Sequence, residues 1–210
     1  MAFHLQNPEF LTGSAEMNSM LIMTELTTAL LWQEACEKGL PQPDGILLVA
    51  TTSQQSMALM TNATIERVFK ISTSKYGMGN MIDSYKTPPG FHEVVERYGD
   101  GQAPGAEFFE REPTGRVIPE SDWQAASGQD LILTRILRLG GLEEGVNRGG
   151  QIDTYERYIY LHGSDNEHAL GTTPVSHGCL HLGNHEIIEL YNRVVGLPAW
   201  VWIGETCRFV

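Results

Sequence analysis

The chain is 210 residues long, enough for one domain whose core needs neither a metal nor a disulfide framework. Hydrophobic residues make up 41% and charged residues 19%, which is ordinary for a globular protein and argues against disorder. A net charge of −12 argues against non-specific binding to nucleic acid or to an anionic membrane face.

No Lys or Arg precedes Lys38, and the apolar run Met20-Leu21-Ile22-Met23 is cut by Thr24-Glu25. A secretory leader needs a basic start and roughly 7–15 apolar residues. A membrane helix needs about 18 or more. The expected location is therefore the cytoplasm, or the periplasm if cloning replaced a native leader. Residues 1–16 lack periodicity, and Glu9-Phe10 and Gly13-Ser14 have the look of cloning scars. Residues 1–23 accordingly read as an N-terminal arm, native or added.

Residues 24–44 read as a helix and linker. Thr24 to Lys38 has a loose apolar stripe through Leu26, Ala29, Leu30 and Gln33. Lys38 and Gly39 close the helix, and Pro41 to Gly45 breaks the chain. From residue 45 to 210 the pattern is that of the main domain. Ile46–Thr51, Met57–Met60 and Ile65–Ile71 form a meander of short strands joined by turns at Ser53-Gln54-Gln55 and Asn62-Ala63. A polar loop runs from Ser72 to Gly90, then a strand from Phe91 to Tyr98 and a loop-dominated stretch from Gly99 to Gly128. Leu131–Leu139 is a strong strand, and Gly140 to Gly150 is a glycine-rich connection without nucleotide-binding spacing. Tyr155–His162 alternates, which would put Tyr158, Tyr160 and His162 on one face. Asn184 reads as an N-cap for a helix from His185 to Val195, buried through Ile187, Ile188, Tyr191, Val194 and Val195. Ala199–Ile203 is a last strand. The fold class is mainly β with flanking helices, its site built by loops.

Chemistry concentrates late in the chain. Five of the seven histidines lie between His162 and His185, around the run Ser176-His177-Gly178-Cys179-Leu180-His181. Three cysteines, Cys36, Cys179 and Cys207, are too few for a disulfide framework and leave at least one free thiol. Two readings compete. A thiol nucleophile needs an imidazole to take its proton and a flexible neighbour such as Gly178, so that backbone N–H groups can face a developing oxyanion. A zinc site would use His177, Cys179, His181 and His185, but no CxxC or HExxH accompanies them. Exposed histidines around an inert cysteine are the plainest alternative.

His162, a 14-residue spacer (163–176) that ends in Ser176, and the following His177-Gly178-Cys179 resemble the signature of the L,D-transpeptidase (YkuD) family. The resemblance extends over the opening strands, the Thr87-Pro88-Pro89-Gly90 turn and the helix and strand after the cysteine, roughly positions 45 to 205. It implies the mixed β-sandwich of that family's catalytic domain. It also implies cysteine-dependent acyl transfer on peptidoglycan stem peptides, between the third-position diamino acid and D-Ala. Cys179 would be the nucleophile and His162 the base, oriented by the Gly163 carbonyl. His177 and the Gly178–Cys179 backbone would shape the oxyanion site. No cofactor is implied, and a covalent carbapenem adduct is. His181 departs from the Arg or Asn that many members carry two residues after the cysteine.

Without an export signal, soluble muropeptides are the expected partners, and L,D-carboxypeptidase trimming in wall recycling the expected role. Cross-linking is the alternative, and a non-catalytic zinc- or wall-binding module the rival class. Ser176, His181, Arg148 and Tyr160 are candidate substrate contacts, with Arg135 and Arg138 further candidates to neutralise a carboxylate.

Overall fold

The computed structural model describes residues 26–40, 45–125 and 128–210. The N-terminal arm and the break at residues 41–44 lie outside them. The described residues form ten strands in one continuous, branched sheet and two α-helices. None of these helices is long and apolar enough to cross a membrane.

The meander forms as the turn chemistry dictates. β1 (Ile46–Thr51), β2 (Ser56–Thr61) and β3 (Thr64–Lys70) pair antiparallel. The β2–β3 turn uses Asn62 and Ala63, both at positive φ, as tight hairpins require. β1 then pairs in parallel with β10 (Ala199–Gly204), which pairs with β4 (Gly90–Tyr98), which pairs with β7 (Ile132–Gly141). β1 is buried along its whole length because both of its faces are covered. Ile46, Leu48 and Ala50 pack with Ile187, Leu190, Tyr191 and Val194 of α2 (Asn184–Val194). Leu47 and Val49 face the other way, onto Leu31 and Ala35 of α1 (Thr28–Glu37) with Phe91 and Trp200.

Several elements differ from the sequence expectation. α1 buries Thr28, Leu31 and Ala35 instead of the Leu26/Leu30 stripe, and Leu30 is 40% exposed. The 3.6-residue period fits either stripe, and docking on β1 selects one. In α2, Leu190 is buried and Val195 exposed. Asn184 is the first helical residue and Gly183 the cap, because the Asn184 side chain is buried and tied to Ser164 O (2.8 Å), Glu167 Oε1 (2.9 Å) and Thr134.

The loop-dominated stretch contains a hairpin, β5 (Ala106–Phe109) and β6 (Glu112–Val117). β6 carries Pro113 and Gly115 and is exposed throughout, which an edge strand tolerates. β5 continues the sheet from the start of β7.

β8 is only Tyr160–Gly163. Asp153 explains its short length: its carboxylate accepts from the amides of Tyr155 (2.9 Å), Glu156 (3.2 Å) and Gly149 (2.8 Å), winding residues 153–158 into turns. Tyr158, at φ 55° and 51% exposed, therefore does not continue the face of Tyr160 and His162. β8 pairs with β7 on one side and in parallel with β9 (Leu180–Leu182) on the other.

Candidate active site

The parallel pairing of β8 and β9 builds the site. His162 lies opposite His181 and Leu161 opposite Leu180, so Cys179 enters β9 at the level of Tyr160. The Tyr160 N–H donates to Cys179 Sγ at 3.4 Å, and the thiol points at Tyr158 O, 3.6 Å away. His162 is 1% exposed, and its Nδ1 lies 2.8 Å from the Gly163 carbonyl. Gly163 has room for no side chain: a Cβ there would sit 2.3 Å from Asn184 Oδ1.

The loop bearing Cys179 is held on both sides by segment 72–75. Ser176 N donates to Thr73 O (3.0 Å), Lys75 N to Ser176 O (3.1 Å) and His181 N to Ser72 O (2.9 Å). Ser176 is fully buried; its hydroxyl donates to Cys179 O (2.6 Å) and accepts from Gly178 N (3.2 Å). Ser176 thus braces the loop, and the Gly178 amide is engaged with it. The backbone donor that reaches the sulfur is the Tyr160 N–H. Thr87, from the Thr-Pro-Pro-Gly turn, donates to Gly178 O at 3.1 Å. Gly178 itself has φ +129°, a conformation side chains rarely adopt.

Asp130 joins the remaining histidines, and no sequence motif pointed to it. One carboxylate oxygen accepts from His177 Nδ1 (2.6 Å) and His177 N (3.1 Å). The other lies 2.8 Å from His181 Nε2, an ion-pair contact. His181 is buried, lies 3.4 Å from Ser164 Oγ through Nδ1, and packs its ring 4.7 Å from that of His162. Burial opposes a charge on Asp130, but the hydrogen bonds of His181 and His177 and the electrostatic pull of His181 and His162 outweigh it and hold the carboxyl well below the usual range. Burial, reinforced by His181, lowers His162 to about 4. Burial pushes the Cys179 thiol up to about 12, against the Tyr160 hydrogen bond.

His177 stands exposed between two cavities. One, of about 240 Å³, is lined by Lys75, Asp130, Asp165 and His181. The other, of about 190 Å³, is lined by Tyr85, Glu156, Arg157 and Tyr158. Arg157, also unmarked by any motif, donates to Gly79 O (3.2 Å) and Lys86 O (2.6 Å), and its charge favours the Cys179 thiolate.

Other candidates sit apart or are engaged elsewhere. Arg148 pairs with Glu144 (3.3 Å) on the surface. Arg138 is buried against Glu96 (2.9 Å) and stacked on Tyr155, 3.4 Å from its ring centre. Arg135 donates to the carbonyls of Gln102 (2.9 Å) and Thr134 (2.6 Å). The four residues of the zinc reading do not converge. His185 lies on α2 against Trp123 (5.2 Å), and among the described residues no group of three or more His, Cys, Asp or Glu is arranged to hold a metal ion.

No curated protein matches the sequence. Forty-three solved chains are similar in structure, among them an L,D-transpeptidase from Mycobacterium smegmatis at 18% identity and TM-score 0.44, covering 76% of this chain and 58% of that one. L,D-transpeptidase 3 from Mycobacterium tuberculosis, in complex with a faropenem-derived adduct, shares 18% identity at TM-score 0.45, over 76% of this chain and 60% of that one. The chain spans less than two thirds of the length of these proteins. The family model of the L,D-transpeptidase catalytic domain matches residues 44–203, every strand and the second helix except for the final residue of β10. On that match, the chain belongs to the L,D-transpeptidase catalytic-domain (YkuD) family.

Proposed function

We propose that this chain is a cysteine acyl-transfer enzyme acting on peptidoglycan stem peptides, at the bond between the third-position diamino acid and D-Ala. The observation that carries the reading is the juxtaposition, on β8 and the loop beside it, of Cys179, the Tyr160 amide, His162 and the Gly163 carbonyl.

With Nδ1–H donated to Gly163 O, His162 keeps a lone pair on Nε2. Lowered to about 4, the imidazole is neutral at pH 7 and can accept a proton. The thiol, pushed up to about 12, is not a standing thiolate, so its proton leaves as sulfur attacks the carbonyl carbon. The Tyr160 N–H donates to Sγ at rest and turns to the oxyanion as the sulfur bonds to carbon. Collapse breaks the C–N bond, protonated His162 returns its proton to the D-Ala amine, and a thioester remains on Cys179. An acceptor then attacks the thioester, giving its proton to His162 and restoring the thiol.

Water as that acceptor makes the chain an L,D-carboxypeptidase. The −12 charge supports this reading, since it suits a small soluble muropeptide better than residence on an anionic polymer. The amine of a second stem is the alternative and would yield a cross-link. Incubation with a disaccharide tetrapeptide, followed by mass analysis of the products, tests both. Loss of one D-Ala is the expected result; dimers would replace it with transpeptidation. Recovery of unchanged tetrapeptide would overturn the substrate assignment.

A further inference from the structure

We propose that Arg111 is a carboxylate receptor that recognises an acidic group of the substrate beside the nucleophile. The proposal rests on the stem-peptide reading above. β5 and β6 are joined by the two-residue turn Glu110-Arg111, with φ 47° and 73°. Turns of this kind favour Asn and Gly. The chain instead holds a long cation there, against local backbone preference.

The turn directs Arg111 onto two tyrosines that flank the nucleophile. Its Nη1 donates to Tyr160 Oη at 3.1 Å, and its guanidinium carbon lies 5.2 Å from the ring centre of Tyr158. These are the two residues whose backbone groups contact Cys179 Sγ. Arg111 therefore touches, through their side chains, the two residues whose backbone meets the nucleophile.

Among the described residues its charge is not matched by a carboxylate. Arg138 has Glu96, Arg148 has Glu144 and Arg116 has Glu107, while Arg135 and Arg157 donate to backbone carbonyls. Arg111 has a neutral phenol and a ring face. Among the described residues no carboxylate lies within ion-pair distance of it, in a chain with 26 acidic residues. A guanidinium has five N–H donors in a planar fork, and only one bond from this one is made within the described protein. A half-buried fork with an open edge suits a carboxylate held by charge-assisted hydrogen bonds. The stem peptide offers two such groups near the scissile bond: the terminal carboxylate of D-Ala, and the side-chain carboxylate of a dicarboxylic diamino acid.

Steady-state kinetics on three synthetic tetrapeptides test the proposal: the free acid, the terminal D-alaninamide, and the analogue amidated on the diamino acid side chain. The wild-type chain is expected to prefer the free acid over one of the amides by about 10–100-fold in kcat/KM. The amide that suffers identifies the carboxylate bound. Arg111→Gln should lose that preference through KM, with kcat on the free acid within about threefold of wild type. Arg111→Lys should recover part of it. Alkylation of Cys179 by uncharged iodoacetamide at the wild-type rate verifies an intact nucleophile in each variant. Equal wild-type rates on all three peptides, or an Arg111→Gln enzyme that keeps the wild-type ratio between acid and amides, would overturn the proposal. Wild-type protein that alkylates normally but turns over none of the peptides would instead overturn the substrate reading, and the role of Arg111 with it.

Discussion

Replacing His162 by Gln should change how stability depends on pH. His162 is 1% exposed, and burial, with the adjacent His181, lowers it to about 4. In the unfolded chain it titrates near 6.5. Between those values the unfolded chain binds a proton that the folded chain does not, so stability falls as pH falls. The drop from 6.5 to about 4, at about 1.36 kcal/mol per pH unit, corresponds to about 3 kcal/mol. That contribution is fully present above pH 6.5 and is lost as pH decreases toward 4. His92, fully buried and also lowered to about 4 by burial, adds a comparable contribution that His162→Gln leaves in place. Urea unfolding followed by tryptophan fluorescence at intervals from pH 7.5 to 4 measures both proteins. Wild-type stability relative to the variant should fall by about 3 kcal/mol across that range. Parallel profiles would refute the assignment of His162 as a buried neutral imidazole, and with it the general-base step.

Three further substitutions probe the site. Asp130→Asn removes the charge shared by His177 and His181, and should cost about 1.5–3 kcal/mol at pH 7 in chemical denaturation and slow acylation of Cys179. An unchanged unfolding midpoint would contradict the clamp. Gly178→Ala forces a Cβ onto φ +129° and to 3.0 Å from Ile159 Cδ1, so acylation should fall by at least about tenfold while the far-ultraviolet spectrum stays native. Wild-type acylation would refute this. Gly163→Ala places a methyl group 2.3 Å from Asn184 Oδ1 and 2.9 Å from Leu133 O, and should lower the melting temperature by several degrees. A wild-type melting curve would show that the β8–α2 junction can relax.

The parts of the fold readable in the sequence are those whose signal is local. β1 to β3 follow from β-branched runs and turn residues, and the end of α1 from Lys38 and Gly39. β9 is three residues long and exists because β8 lies beside it, so no period could reveal it. The β5–β6 hairpin was hidden by Pro113 and Gly115, which only an exposed edge permits. The sharpest divergence is at Tyr155–Ile159. Its alternation suggests a strand, but the Asp153 side chain captures the amides of Tyr155 and Glu156 and winds the segment into turns. The site shows the same division. Ser176, His177 and Cys179 lie in one short run with Gly178 and carry a spacing that a sequence can display. Asp130, Arg157 and Arg111 reach the site from separate loops, and only tertiary structure brings them there.

Intact-protein mass spectrometry after incubation with a carbapenem tests the central claim most directly, because a strained β-lactam amide acylates an activated thiol as the stem peptide would. Wild-type protein should gain the mass of one carbapenem, carried by the peptide containing Cys179, and Cys179→Ala should gain none. An adduct that persists in Cys179→Ala, or wild-type protein that gains no mass, would contradict Cys179 as the nucleophile.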